Sequence, residues 1–132
     1  MNEQRATGNG SSKPNATDAS TILIVEDEAI ARKNLDHILK KEGYQTIAVD
    51  SGVRAIELMQ TTTVDLVVTD LKMEKIDGMA VLEKTRELLP DTEVILITGY
   101  ATVNSAVRAL KMGAYHYIAK PYKIDEVRKI VA

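Results

Sequence analysis

Residues 65–78, DLVVTDLKMEKIDG, hold the pattern that decides the fold. A short apolar run (Leu66, Val67, Val68) ends on an acid, Asp70. A polar connection then leads into a stretch where Val81, Leu82, Thr85 and Leu89 fall on one helical face. The same order of events is repeated along the chain. TILIV (21–25) runs into Glu26, Asp27 and Glu28; EVILI (93–97) runs into Thr98; YHYIA (115–119) runs into Lys120. Runs rich in Val, Ile and Leu suit strands covered on both faces, so strands are expected over 21–26, 44–49, 65–70, 93–98 and 115–119.

Amphipathic stretches fill the gaps. Ala31, Leu35, Ile38 and Leu39 make a first buried stripe, Ala55, Ile56 and Met59 a second, and the residues after Asp70 the third. Val103, Ala106, Val107 and Leu110 make a fourth, closed by Gly113 as a left-handed cap. A fifth begins near Ile124, uses Val127 and Val131, and is unfinished at Ala132. Five βα units in succession require right-handed crossovers, which places helices on both faces of one parallel sheet. The expected fold is therefore α/β: a flavodoxin-like (βα)5 doubly wound sandwich with strands in the order 2-1-3-4-5.

Composition excludes several classes. The 132 residues are 45% hydrophobic and 27% charged, ordinary for one soluble domain with a real core. A formal charge of -2 gives this segment no electrostatic reason to bind nucleic acid. Without cysteine there is neither a disulfide framework nor a thiolate metal site. No apolar stretch is long enough for a spanning helix or a secretory signal, so no membrane partner and a cytoplasmic location are expected. Residues 1–20 are polar and nearly free of large apolar side chains, which reads as a disordered leader or appended tail ahead of a domain at 21–132.

In a parallel sheet all strand C-termini open on one edge, so Glu26, Asp27, Asp70, Thr98 and Lys120 should meet there. Singly, each has a bland alternative: acids at a helix start serve as caps, and Asp, Thr-Gly and Lys-Pro end strands as turns. Together their chemistry is complementary. Clustered carboxylates stay ionised near neutral pH only beside a cation, and an oxygen-only ligand set suits Mg²⁺. With the ion and Lys120 neutralising charge, a carboxylate can attack phosphorus while Thr98 donates to a phosphoryl oxygen. His37 and His116 each lack a second histidine at ligand spacing and are expected to be surface or packing residues.

The motifs ILIVEDE, VVTDLKMEKIDG, VILITGYA and GAYHYIAKPY, at these intervals, resemble a response-regulator receiver domain of two-component signalling over residues 21–132. The run LITGYATVNSAVRALKMGAYHYIAKPY is similar to receivers of nitrogen-regulation-type activators that work with the alternative sigma factor. The resemblance implies that Asp70 is phosphorylated by a sensor histidine kinase. It implies Mg²⁺ on Asp27, Asp70 and the backbone carbonyl of Lys72, with Glu26 acting through water. Thr98 and Lys120 would grip the phosphoryl group, and Tyr117 would turn inward as Thr98 moves. It also implies a cis Lys120-Pro121 bond and a tight start to the third helix at Asp77-Gly78. Switching would reshape the fourth helix, fifth strand and fifth helix, where Tyr100, Tyr115, Tyr117 and Tyr122 suggest a partner or homodimer face; the alternative for Tyr115 and Tyr122 is packing. The output would be transcription, with catalysis limited to self-phosphorylation and slow dephosphorylation. A chain ending inside its fifth helix suggests a fragment whose ATPase and DNA-binding modules lie downstream, a free-standing relay protein being the alternative.

Two positions depart from the common receiver pattern: Glu26 stands where many have Asp, and Glu74 replaces a proline after Met73. Lys72 and Tyr100, two residues beyond Asp70 and Thr98, are expected to shield an acyl phosphate from water, against simple solvent exposure. Three rivals stand beside this reading. A haloacid-dehalogenase-like hydrolase would need a second Asp where Lys72 stands, and a flavodoxin-like cofactor site would not set EDE against a phosphate. A receiver-like module that signals without phosphorylation would not need every reactive position filled.

Overall fold

The structure, a computed structural model, describes residues 20–73 and 75–131. The expected leader, Ser20 apart, and Glu74 lie outside the described residues. Strands and helices alternate strictly: β1 (Thr21–Val25), α1 (Ala29–Lys41), β2 (Gln45–Val49), α2 (Gly52–Met59) and β3 (Leu66–Asp70). They continue as α3 (Gly78–Leu88), β4 (Glu93–Thr98), α4 (Val103–Lys111), β5 (His116–Ala119) and α5 (Ile124–Val131). The sheet order is β2-β1-β3-β4-β5 with every pairing parallel, as expected. Strand limits shift by at most one residue. Glu26, just beyond β1, still donates its amide to the Val49 carbonyl at 3.1 Å.

Period-two alternation sorts the strand residues onto two faces. Leu23, Val25, Val67, Val94 and Leu96 face α2, α3 and α4, where they meet Ala55, Met59, Val81, Leu82 and Ala109. Ile22, Ile24, Val68, Ile95, Ile97 and Ile118 face α1 and α5, through Leu35, Leu39 and Val127. The first three helical stripes are at least half-buried, with Leu35, Leu39, Ala55, Met59, Val81, Leu82 and Thr85 buried outright.

The fourth stripe is a correction. Of its four residues only Ala106 is half-buried; Val103, Val107 and Leu110 are 80, 45 and 51% exposed, and α4 meets the sheet through Ala106 with Ala109 and the half-buried Ser105 and Met112. This helix carries two apolar faces, and the one with small side chains lets its backbone lie close to the sheet. Gly113 closes it at φ +101°, the left-handed cap expected. Ile124 at the start of α5 is likewise half exposed.

Candidate functional site

Register carries the chemistry to one edge. Val25 pairs with Thr69, and Asp70 with Ile97, so the residues following β1 and closing β3 lie side by side. Glu26 continues the alternation of Ile22 and Ile24, Asp70 that of Val68, and Lys120 that of Ile118. All three thus extend the face covered by α1 and α5. The Lys120 ammonium donates to Glu26 Oε1 at 2.8 Å and to Asp70 Oδ2 at 3.1 Å. Carboxylate oxygens of Glu26, Asp27 and Asp70 lie within 4.8 Å of one another. Four of the residues singled out from sequence therefore meet, although 94 positions separate Glu26 from Lys120.

Their surroundings differ. Glu26 is 5% exposed and Asp27 faces solvent. Burial pushes the Glu26 carboxyl above its ordinary range, against the opposing pull of Lys120 and of the Glu28 amide, which donates to Oε2 at 3.1 Å. For Lys120, burial works downward, but the hydrogen bonds and charges of Glu26 and Asp70 outweigh it and the net shift is upward. Asp70 Oδ1 accepts the Lys72 amide at 3.2 Å. The Lys120-Pro121 bond is cis, as expected.

The turn that follows Asp70 is held from behind. Gly78 donates its amide to the Leu71 carbonyl at 2.8 Å. A Cβ added there would run into the Asp70 carbonyl and lie 2.8 Å from Leu71 Cα, so only glycine allows so close an approach to the acid's backbone. Asp77 caps α3 by accepting the Ala80 amide at 3.0 Å.

Thr98 and Tyr117 extend the opposite face, the one toward α4. The fully buried Thr98 hydroxyl accepts the Tyr100 amide at 3.0 Å, and the Thr98 carbonyl accepts the Lys120 amide at 2.8 Å. The half-buried Tyr117 shares a 2.6 Å hydrogen bond with Ser105 of α4. Ser105 also donates its amide to Thr102, completing a capping box. The Lys72 ammonium lies 5.7 Å from the Tyr100 ring centroid, both side chains being exposed. Tyr122 packs against the α1/α5 core, whereas Tyr115 is 55% exposed; packing therefore accounts for Tyr122 alone. His37 and His116 are both exposed.

Two contacts had no expectation behind them. Ser105 was signalled by its three-residue spacing from Thr102, the pattern of a capping box. Arg32 of α1, whose guanidinium donates to the Glu26 carbonyl at 3.0 Å, had no signal: an arginine on an amphipathic helix reads as solvent-facing.

A parallel five-stranded α/β domain with two acids after β1, an acid ending β3 and a lysine after β5 belongs to a recognisable class of signalling domain. The family model for the response regulator receiver domain matches residues 22–132, and the chain belongs to that family. The regulatory protein AtoC of Escherichia coli (strain K12) is 37% identical over 115 residues, covering 87% of this chain and 25% of AtoC. Sporulation initiation phosphotransferase F of Bacillus subtilis (strain 168) is 34% identical over 110 residues, covering 83% of this chain and 89% of that protein. The crystal structure of NtrX from Brucella abortus superposes with a TM-score of 0.79 at 30% identity, covering 86% of this chain and 26% of NtrX. The chain thus spans about a quarter of the length of AtoC and of NtrX. Receiver domains are signalling modules rather than conventional enzymes, they bind Mg²⁺ at an acidic pocket, and they imply a sensor kinase partner. Among the described residues no helix is long and apolar enough to cross a membrane.

Proposed function

We propose that Asp70 accepts a phosphoryl group from the phosphohistidine of a sensor histidine kinase in a Mg²⁺-dependent reaction. The observation that carries this reading is the Lys120 ammonium, 2.8 and 3.1 Å from two of three carboxylates that lie within 4.8 Å of one another. A carboxylate oxygen of Asp70 forms the new P–O bond while the P–N bond to the donor imidazole breaks, and the imidazole leaves with the electron pair. Lys120 moves its hydrogen bond from Asp70 to a phosphoryl oxygen, and Thr98 offers its hydroxyl to another.

The donor set is all oxygen and anionic, which fits a hard divalent ion. Asp27, Asp70 and the Lys72 carbonyl would hold it, with Glu26 reaching it through water. Mg²⁺ would supply charge neutralisation at the transferring phosphoryl group. Glu26, being one methylene longer than Asp, also reaches Lys120 directly.

The output is a change of surface around α4, β5 and α5, with Tyr117 turning inward as Thr98 moves. The exposed Val103, Val107, Leu110 and Tyr115 make this face the candidate for a homodimer or other partner. Fused ATPase and DNA-binding modules, transcriptional control and a cytoplasmic site of action complete the reading; AtoC, a regulatory protein of which this chain covers 25%, supports a regulatory role within a longer chain. The test is intact-mass spectrometry after incubation with a small phosphodonor and Mg²⁺. One phosphoryl group is expected on the parent, none with EDTA and none on Asp70→Asn. Equal labelling of Asp70→Asn would give the role to another residue.

A further inference from the structure

We propose that Arg32 is a positioning residue for the acidic site, its guanidinium fixing the β1–α1 loop so that Glu26 and Asp27 are presented to a divalent cation. The inference rests on the Mg²⁺ reading above and adds a residue to it. Long helical side chains lean toward the helix N-terminus, and Arg32, in the first turn of α1, reaches back along the loop. Its Nη1 donates to the Glu26 carbonyl at 3.0 Å and, more weakly, approaches the Asp27 carbonyl at 3.5 Å.

Peptide planarity turns these outer contacts into inner ones. In a trans peptide the C=O and the following N–H point in opposite directions. With the Asp27 carbonyl turned to Arg32, the Glu28 amide must point the other way, and there it meets Glu26 Oε2 at 3.1 Å. By the same geometry, the Glu26 carbonyl on Arg32 directs the Asp27 amide away from the guanidinium. Nothing conventional does this work, because Glu28 at the N-cap of α1 makes no side-chain capping hydrogen bond. Nor does any ion pair among the described residues involve Arg32, so its charge is directed at main-chain oxygens.

Two effects of opposite sign compete. A cation beside three carboxylates repels Mg²⁺, so its removal alone would tighten binding. Loss of an outer partner that orients the ligands weakens binding, typically by about 10- to 100-fold. The inference is that orientation wins.

The experiment is a MgCl₂ titration of the ¹⁵N-labelled domain, without phosphodonor, for the parent, Arg32→Ala, Arg32→Gln and Arg32→Lys. Arg32→Ala is expected to bind Mg²⁺ about tenfold more weakly, with a shifted Glu28 amide resonance and an unchanged urea midpoint in EDTA. Arg32→Gln, which keeps an amide donor, should lose less, and Arg32→Lys should recover most of the affinity by donating to the same carbonyls. Affinity in Arg32→Ala equal to or tighter than the parent overturns the inference. So does a loss of affinity that only follows a fall in the urea midpoint, or one that Arg32→Lys fails to recover. If the parent itself shows no Mg²⁺ response that Asp70→Asn abolishes, the metal reading falls instead.

Discussion

Replacing Lys120 by methionine, close to it in length and uncharged, should cost the metal-free domain up to about 4 kcal/mol at pH 7.5 and less than about 1 kcal/mol at pH 5.0. The Lys120 side chain is 27% exposed and its ammonium bridges side chains that are 6 and 10% exposed. A buried ion pair is worth little against neutral groups of the same size, but removing one partner leaves a charge without compensation. A carboxylate escapes that cost by taking up a proton, which caps the loss. Against the ordinary glutamate value of 4.5, each pH unit above it costs about 1.4 kcal/mol, so three units give about 4 and half a unit about 0.7 kcal/mol. The sign follows from proton counting. The folded variant holds a proton that its unfolded chain has released, so its stability relative to the parent falls as pH rises above 4.5. Urea denaturation in EDTA at both pH values measures this. An equal loss at pH 5.0 and 7.5 would mean that packing by the lysine stem, not charge, holds the site, and would refute the reasoning.

Three further outcomes follow from the same geometry. Without metal, Asp27→Ala and Asp70→Asn each remove one of three crowded carboxylates and should leave the domain as stable or more so; a loss above about 2 kcal/mol in denaturation would contradict the crowding. Gly78→Ala forces a Cβ against the Asp70 backbone and should cost about 1–3 kcal/mol in the same assay, whereas parent-like stability would show that the turn yields freely. If Lys72 and Tyr100, the lysine ammonium 5.7 Å from the ring centroid, shield the acyl phosphate as the sequence suggests, Lys72→Asn combined with Tyr100→Ala should shorten its lifetime, and an unchanged half-life ends that idea.

Much of this was legible in the chain because buried parallel strands leave a strong mark. The runs ending at Val25, Asp70 and Thr98 marked three central strands, and with the run before Lys120 they brought Glu26, Asp70 and Lys120 to one edge. The orientation of α4 was not legible. Val103, Val107 and Leu110 have the spacing of a core stripe, and only the closeness allowed by Ala106 and Ala109 decides for the other side. Side-chain contacts to the main chain were equally hidden. Nothing in the spacing of Arg32 from Glu26 distinguishes a guanidinium in water from one on a carbonyl, because the difference lies in the turn of two peptide planes.

The proposed acceptor, Asp70, and the residues proposed to report its state lie on opposite faces of the sheet, so under the proposed function the signal must cross at the end of β4. There Thr98 holds Lys120 through its carbonyl and the Tyr100 amide through its hydroxyl. Drawing the hydroxyl toward a phosphoryl oxygen gives up the Tyr100 contact, and turning Tyr117 inward gives up its bond to Ser105. Each is a neutral hydrogen bond worth about 0.5–1.5 kcal/mol, while a hydrogen bond to a charged phosphoryl oxygen contributes about 1.5–3 kcal/mol. The two sides nearly balance. A switch poised in this way is biased by whichever of these contacts is altered, and Ser105→Ala, which removes the bond to Tyr117 together with the Ser105 hydroxyl's contacts to Thr102, should raise the population with Tyr117 turned inward before any phosphoryl group arrives. Tyrosine side-chain NMR on the unphosphorylated domain reads that population directly; a Tyr117 ring environment identical in parent and variant would show that the Ser105 bond does not restrain the switch.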